Sequence, residues 1–448
     1  MEPAELSVVE TVHRIQSGLV GARETVEAFL ARIEARENAV QAWARVDEYG
    51  ARRQADFIDG LSELEKAALP LCGVPVGIKD IIATAGVATT AGSRILHDWV
   101  PDRDADVVRR LRAAGAVILG KTATTEFAGG DPAPTRNPWA VNHTPGGSSA
   151  GSAAALAADM CAATIGTQTA GSIVRPSAYC GVVGLKPTYG AVSRDGVLPL
   201  AWSLDHAGPM ARSVEDVAVV YDQIVGAEPV PTTGRPTVGI PDRYFDSASV
   251  VQAAALESTI GLIQALGWRV VEVALPRSFE AMVAAAEVVL PVETAAAHQR
   301  WFAEAADDYG PRLRDLIESA DQVSGTDYVN AQRVRRRGAQ EFAAVFDEID
   351  ILLTPSAPDV APDSVLWTGD PRFNLPFASL GVPSVTVPVP DPNGGALPAS
   401  VQLIGMWGTD RWLLSGAAEV ECAVSATGWN LTHRRARIDA VLSTSAAK

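Results

Sequence analysis

Apolar and polar positions alternate along the chain in two rhythms, one helical and one of short buried strands. Near the N-terminus apolar residues recur every three to four positions between charged ones, which predicts amphipathic helices over about Ser7 to Gln16 and Arg23 to Arg36. The first carries a start signal, because Ser7-Val8-Val9-Glu10 has the capping-box spacing. Gly73 to Ile82 is different in kind: a short apolar, β-branched run bounded by Gly and Pro, the pattern of a buried strand, with Lys79 within it or at its end. Helix followed by strand then recurs. A helix bearing Arg109 and Arg110 precedes a strand pattern over Gly115 to Gly120. Ser213 to Val225 precedes Pro236 to Ile240, and Val250 to Leu266 precedes Trp268 to Leu275. Asp350 to Pro355 and Ser384 to Pro388 also read as strands, so the chain predicts an α/β fold.

Between about 278 and 347 the chain is Ala-, Glu- and Arg-rich and helical throughout, a long excursion from that rhythm. Arg333, Arg335, Arg336 and Arg337 within it read as a solvated helix face. No repeat or low-complexity linker divides the sequence. One elaborated domain over 1–448 is therefore expected, rather than the three that a prior of roughly 150 residues per domain allows.

Composition narrows the class. With 47% hydrophobic and 20% charged residues the chain is a folded one, and 37 Lys+Arg against 53 Asp+Glu, a net charge of −16, argues against a nucleic-acid partner. Cys72, Cys161, Cys180 and Cys422 are far apart without a C-x-x-C pair, so they read as reduced core residues and not as a disulfide framework or zinc site. The first five residues are acidic where a signal peptide is basic. The most membrane-like run, Ser152 to Gly171, is mostly small residues interrupted by Asp159 and Gln168. A cytoplasmic protein without a membrane partner is expected.

Two segments, Gly146 to Ser152 and Gly166 to Ser172, combine glycines that let backbone N–H groups approach a ligand with serine hydroxyls at hand. Either alone is as well a tight connection. No Lys follows the glycines as a Walker loop requires, and G-x-G-x-x-G is absent. Gly147 to Gly151 does match G-x-S-x-G, with Ser149 as the elbow serine. The residues before it, 137–145, form a loop instead of the apolar strand an elbow needs, and His206, His298 and His433 have no distinguishing context.

Taken together, these segments resemble the amidase signature family. Gly73 to Ser93 looks like the family's lysine-bearing strand and loop, ending in Thr89-Thr90-Ala91-Gly92-Ser93. Gly146-Gly147-Ser148-Ser149 is similar to its glycine-serine loop. Gly166 to Gly190 resembles its nucleophile block through Gly181-Val182-Val183-Gly184-Leu185-Lys186-Pro187-Thr188. Fainter echoes occur at Ser203 to Met210, Gly381-Val382-Pro383 and Leu397-Pro398 with Gln402, so the likeness covers nearly the whole chain. The resemblance implies a large mixed, mostly parallel central sheet covered by helices on both sides. It implies a catalytic triad of Lys79 as base, Ser148 as bridging serine and Ser172 as nucleophile, with Ser148 held through a cis Gly147–Ser148 peptide. It implies an oxyanion hole from the backbone N–H groups of Thr169, Ala170, Gly171 and Ser172. A serine hydroxyl is a weak nucleophile that needs an adjacent base, and burial can keep a lysine amine neutral to serve as one. No metal or organic cofactor is implied.

Three departures stand out. The family's commoner block is G-[ST]-D-T-G-G-S-I-R, whereas this chain has Gln168 for the Asp, Ala170 for the first Gly of the pair, and its Arg one place later, at Arg175. We expect these changes to be linked, the loss of a carboxylate at 168 freeing the guanidinium to point elsewhere. No pocket can be read from the loops, and Trp139, Trp202, Trp301 and Trp367 read as packing residues. The expected activity is an amidohydrolase that releases ammonia or an amine from a small-molecule carboxamide, with a homodimer as the candidate assembly. The alternatives are the glutaminase subunit of a tRNA-dependent amidotransferase, or an inactive binding relative.

Overall fold

The computed structural model describes residues 2–225 and 234–445. Eleven strands form one sheet: β1 (Trp43–Val46), β2 (Pro75–Lys79), β3 (Val117–Thr122), β4 (Ala163–Gln168), β5 (Val183–Lys186), β6 (His206–Ala211), β7 (Thr237–Pro241), β8 (Arg269–Val273), β9 (Ile351–Pro355), β10 (Ser384–Val389) and β11 (Ala399–Ile404). Their order across the sheet is β1-β3-β2-β4-β6-β5-β10-β11-β9-β7-β8. Strands β2 to β6 and β9 to β11 are buried at every position, polar residues such as Lys79, Lys121, Thr167 and Gln402 included, so helices cover both faces. β1, β7 and β8, at the flanks, are partly exposed.

The sheet is mixed, as expected, but not mostly parallel. Only β2–β3, β2–β4, β7–β8 and β7–β9 pair in parallel, in two patches. The other six pairs are antiparallel. The reason lies in the connections. The segments 187–205 and 390–398 contain no crossover helix, so β6 and β11 return alongside β5 and β10 in the opposite direction.

The expected helices form with shifted ends. Ser7 and Glu10 make both bonds of the capping box at the start of Val8–Gln16, and the second helix runs Ala22–Val40. The excursion is three helices, Phe279–Ala305, Pro311–Glu318 and Gly325–Ala343. The first and last of these pack together closely enough that a Cβ on Gly338 would stand 2.8 Å from Met282.

One residue of the basic cluster is not solvated. Arg335 shares a helix face with Ala331, Gly338 and Phe342 and is buried by that register. Its guanidinium bonds the hydroxyl and carbonyl oxygens of both Ser203 and Ser379, at 2.8 to 3.0 Å, tying the excursion to the segment before β6. Cys422 likewise departs from expectation: it is exposed, while Cys72, Cys161 and Cys180 are buried and free. Among the described residues no helix is long and apolar enough to cross a membrane.

Candidate active site

β2 and β4 lie side by side in parallel with Ile78 opposite Ile165, which brings Thr167 next to Lys79 at the end of β2. Lys79 is fully buried. Its Nζ stands 2.6 Å from Ser148 Oγ, 2.6 Å from Thr167 Oγ1 and 3.5 Å from the Thr167 carbonyl oxygen. Burial holds the amine well below the ordinary lysine range, since the charged form has lost its water, and Asp205 opposes the shift only in part.

Ser148 is buried too, and its backbone N–H donates to Ser172 Oγ at 3.0 Å. Ser172 is the half-exposed member of the three. The approach depends on glycine: at Gly147, φ is +42° and a Cβ would lie 2.9 Å from Ser172 Cα.

The turn carrying Ser172 joins β4 to the helix Val174–Cys180. Gln168 Oε1 accepts hydrogen bonds from the N–H groups of Ile173 (2.8 Å) and Val174 (3.0 Å), pinning the start of that helix to the end of β4. Within the described protein the N–H groups of Ala170, Gly171 and Ser172 have no hydrogen-bond acceptor. Thr169 anchors the turn from its other side, its hydroxyl donating to Asp205 Oδ1 at 2.6 Å. Asp205 also accepts from the N–H groups of Leu200 and Ala201, both at 3.0 Å, yet burial raises its pKa to about 6.

The structure thus gathers Lys79, Ser148, Ser172 and the turn 169–172 in one place. It differs from expectation at one bond. No described peptide is cis, Gly147–Ser148 included, and Ser172 Oγ meets the backbone N–H of Ser148 and not its hydroxyl. Ser149, the elbow candidate, is fully buried with its Oγ committed to the backbone of Thr167 at 3.0 and 3.2 Å. Arg175 is buried and makes no bond to Gln168, whose side-chain oxygen is occupied by the backbone.

Sequence reasoning assigned no role to Thr167 or Asp205. Thr167 becomes visible only through the register of β4 on β2. Asp205 lies within the Ser203 to Met210 echo, but nothing in that segment says that its carboxylate reaches the turn.

A serine-bearing turn set against a sealed lysine amine is the arrangement of a hydrolase. The Amidase family model matches residues 24–414. Among curated proteins, a glutamyl-tRNA(Gln) amidotransferase subunit of Synechococcus sp. (strain WH7803) is 37% identical over 93% of this chain and 97% of its own. Among solved structures, one reported as an unexpected vestigial protein complex that reveals the evolutionary origins of an s-triazine catabolic enzyme superposes with a TM-score of 0.85, at 31% identity, over 94% of this chain and 99% of that one. The peptide amidase PAM in complex with the competitive inhibitor chymostatin superposes at 0.82 and 32% identity, over 94% of this chain and 98% of that one. The chain belongs to the amidase family. It is an enzyme that cleaves amide C–N bonds.

Proposed function

We propose that the protein hydrolyses a small carboxamide through an acyl-enzyme on Ser172 and releases ammonia or an amine. The observation that carries this is the contact of the buried Lys79 amine with Ser148 Oγ at 2.6 Å, next to Ser172. Ser172 Oγ forms a bond to the amide carbon while its proton passes to the neutral Lys79 amine by way of the Ser148 hydroxyl. For this step that hydroxyl turns from its contact with Lys79 alone toward Ser172 Oγ, which in the structure meets the Ser148 N–H. The charge that builds on the carbonyl oxygen is met by the turn N–H groups of Thr169, Ala170, Gly171 and Ser172. Collapse breaks the C–N bond, the proton returns to the departing nitrogen, and water then releases the acid from Ser172. A panel of aliphatic, aromatic, urea-type and hydrazide substrates, assayed for amine release by the purified chain and by Ser172→Ala, tests the reading. Release that survives in Ser172→Ala refutes it.

A second reading keeps this chemistry but places it in an assembly, as the component that frees ammonia from glutamine for a tRNA-dependent amidotransferase. The likeness to curated amidotransferase subunits over nearly the full length of both chains favours it. The changed nucleophile block weighs on the other side. Turnover of glutamine that appears only with co-purifying subunits distinguishes the two.

A further inference from the structure

Side chains of the excursion hold Ser203 by all three of its polar groups. Glu293 Oε2 accepts from its N–H at 2.9 Å, Arg335 Nη1 donates to its hydroxyl at 2.8 Å, and Arg335 Nη2 donates to its carbonyl oxygen at 3.0 Å. Glu293 comes from the helix Phe279–Ala305 and Arg335 from Gly325–Ala343. Gln332 joins the two: its Nε2 donates to Glu293 Oε1 at 3.1 Å, and its Oε1 accepts from Arg335 Nη1 at 3.0 Å. The Tyr328 hydroxyl is a further donor to Glu293 Oε1, at 2.9 Å. Glu293 is fully buried, and Arg335 is 8% exposed.

Two residues beyond Ser203, the Asp205 carboxylate takes the Thr169 hydroxyl on one oxygen and the N–H groups of Leu200 and Ala201 on the other. The loop 200–205 is thus clamped to the excursion at one point and to the turn 169–172 at another. Ala201 and Leu204 in this loop also pack against Ala285, Ala286 and Val289 of the excursion, and Ala170 of the turn joins the same cluster. A buried charged pair contributes little net stability, because desolvation offsets its attraction, and apolar residues hold helices together at lower cost. Hydrogen bonds to every polar group of one residue supply orientation instead.

Resting on the reading of Ser172 as nucleophile, we propose that Glu293 and Arg335 are positioning residues for amide hydrolysis. They fix the loop 200–205 and, through Asp205, the turn whose N–H groups receive the charge of the carbonyl oxygen. Misplacing such groups by about 1 Å costs on the order of 100-fold in rate.

The test measures kcat and KM for an amide of the substrate panel at a pH above the acid limb, with kcat counted per folded molecule from each variant's urea transition. Arg335→Met should lower kcat on the order of 100-fold while KM changes by less than about threefold. Arg335→Lys keeps the charge near Glu293 but cannot span Ser203 and Ser379, so it should recover most of the melting temperature and little of kcat. Adding Arg335→Met to Asp205→Ala should cost no further kcat, because the turn is already released. Unchanged kcat in Arg335→Met, a loss carried by KM, full recovery of kcat in Arg335→Lys, or losses that multiply in the double variant overturns the proposal. If Arg335→Met does not fold, Tyr328→Phe, which removes a donor to Glu293 and no charge, takes its place with an expected loss of about tenfold in kcat, and an unchanged kcat refutes the clamp. If wild type turns over no amide, the hydrolase reading fails separately, and hydrogen exchange decides. Peptides covering 169–174 should then exchange faster in Arg335→Met than in wild type while those of β10 keep their rate, and equal exchange refutes the clamp.

Discussion

In the proposed mechanism Lys79 serves as the base only in its neutral form, and its surroundings set the pH at which that form prevails. Burial lowers its pKa and the Asp205 carboxylate raises it. Activity should therefore rise with pH through the folded-state pKa of Lys79, with an acid limb below the ordinary lysine range. Asp205→Asn removes the one nearby charge that favours the protonated amine, so the limb in kcat/KM should move to lower pH; a shift to higher pH would contradict the assignment. Ser172→Ala should cost roughly 10⁴-fold or more in amide turnover with the circular dichroism spectrum unchanged, as expected when a nucleophile is lost from a unit that acts together. The segments carrying Lys79, Ser148 and Ser172, which the fold brings together, stand out in the sequence because each is a contiguous motif of glycines and small residues. The roles of Thr167 and Asp205 do not, because each depends on which strand or loop lies alongside, and a single chain does not record that.

The helix Ala150–Ala157 shows how an element is shaped by what surrounds it. Every residue in it is buried and all but Leu156 are Ala, Gly or Ser. A Cβ on Gly151 would stand 2.4 Å from both the Ala123 nitrogen and the Ala42 oxygen, backbone atoms that cannot swing aside. Gly151→Ala should consequently destabilise the fold by about 3 kcal/mol, read as a lowered urea midpoint at unchanged slope. An unaffected midpoint would mean that the helix can back away from β1 and β3. The elements that periodicity predicts form with ends off by a few residues, but β1, β4, β5, β6 and β11 and the helices over 410–445 are not read from it. Nor is strand direction: helix–strand alternation suggests parallel neighbours, and the antiparallel centre comes from two connections whose lack of a helix carries no clear sign. Arg335 was misread for a related reason, since a run of arginines looks solvated until the packing register shows which one faces inward.

At the scale of the whole molecule, the sheet passes from β1 to β8 without interruption, and the excursion is bonded through Arg335 to Ser203, close to the Asp205 that anchors the turn 169–172. We expect the chain to behave as one cooperative unit. Tryptophan fluorescence, far-ultraviolet dichroism and amide turnover should be lost at the same urea concentration. An early loss of helix signal with turnover intact would make the excursion a separate unit. Ser172 is half-exposed while Ser148 and Lys79 behind it are closed off, so accessibility falls away inward from Ser172 to Lys79. A fluorophosphonate arriving from solvent meets the first oxygen and goes no further, and the adduct it leaves on Ser172, counted by mass spectrometry, would give the fraction of working molecules in any preparation.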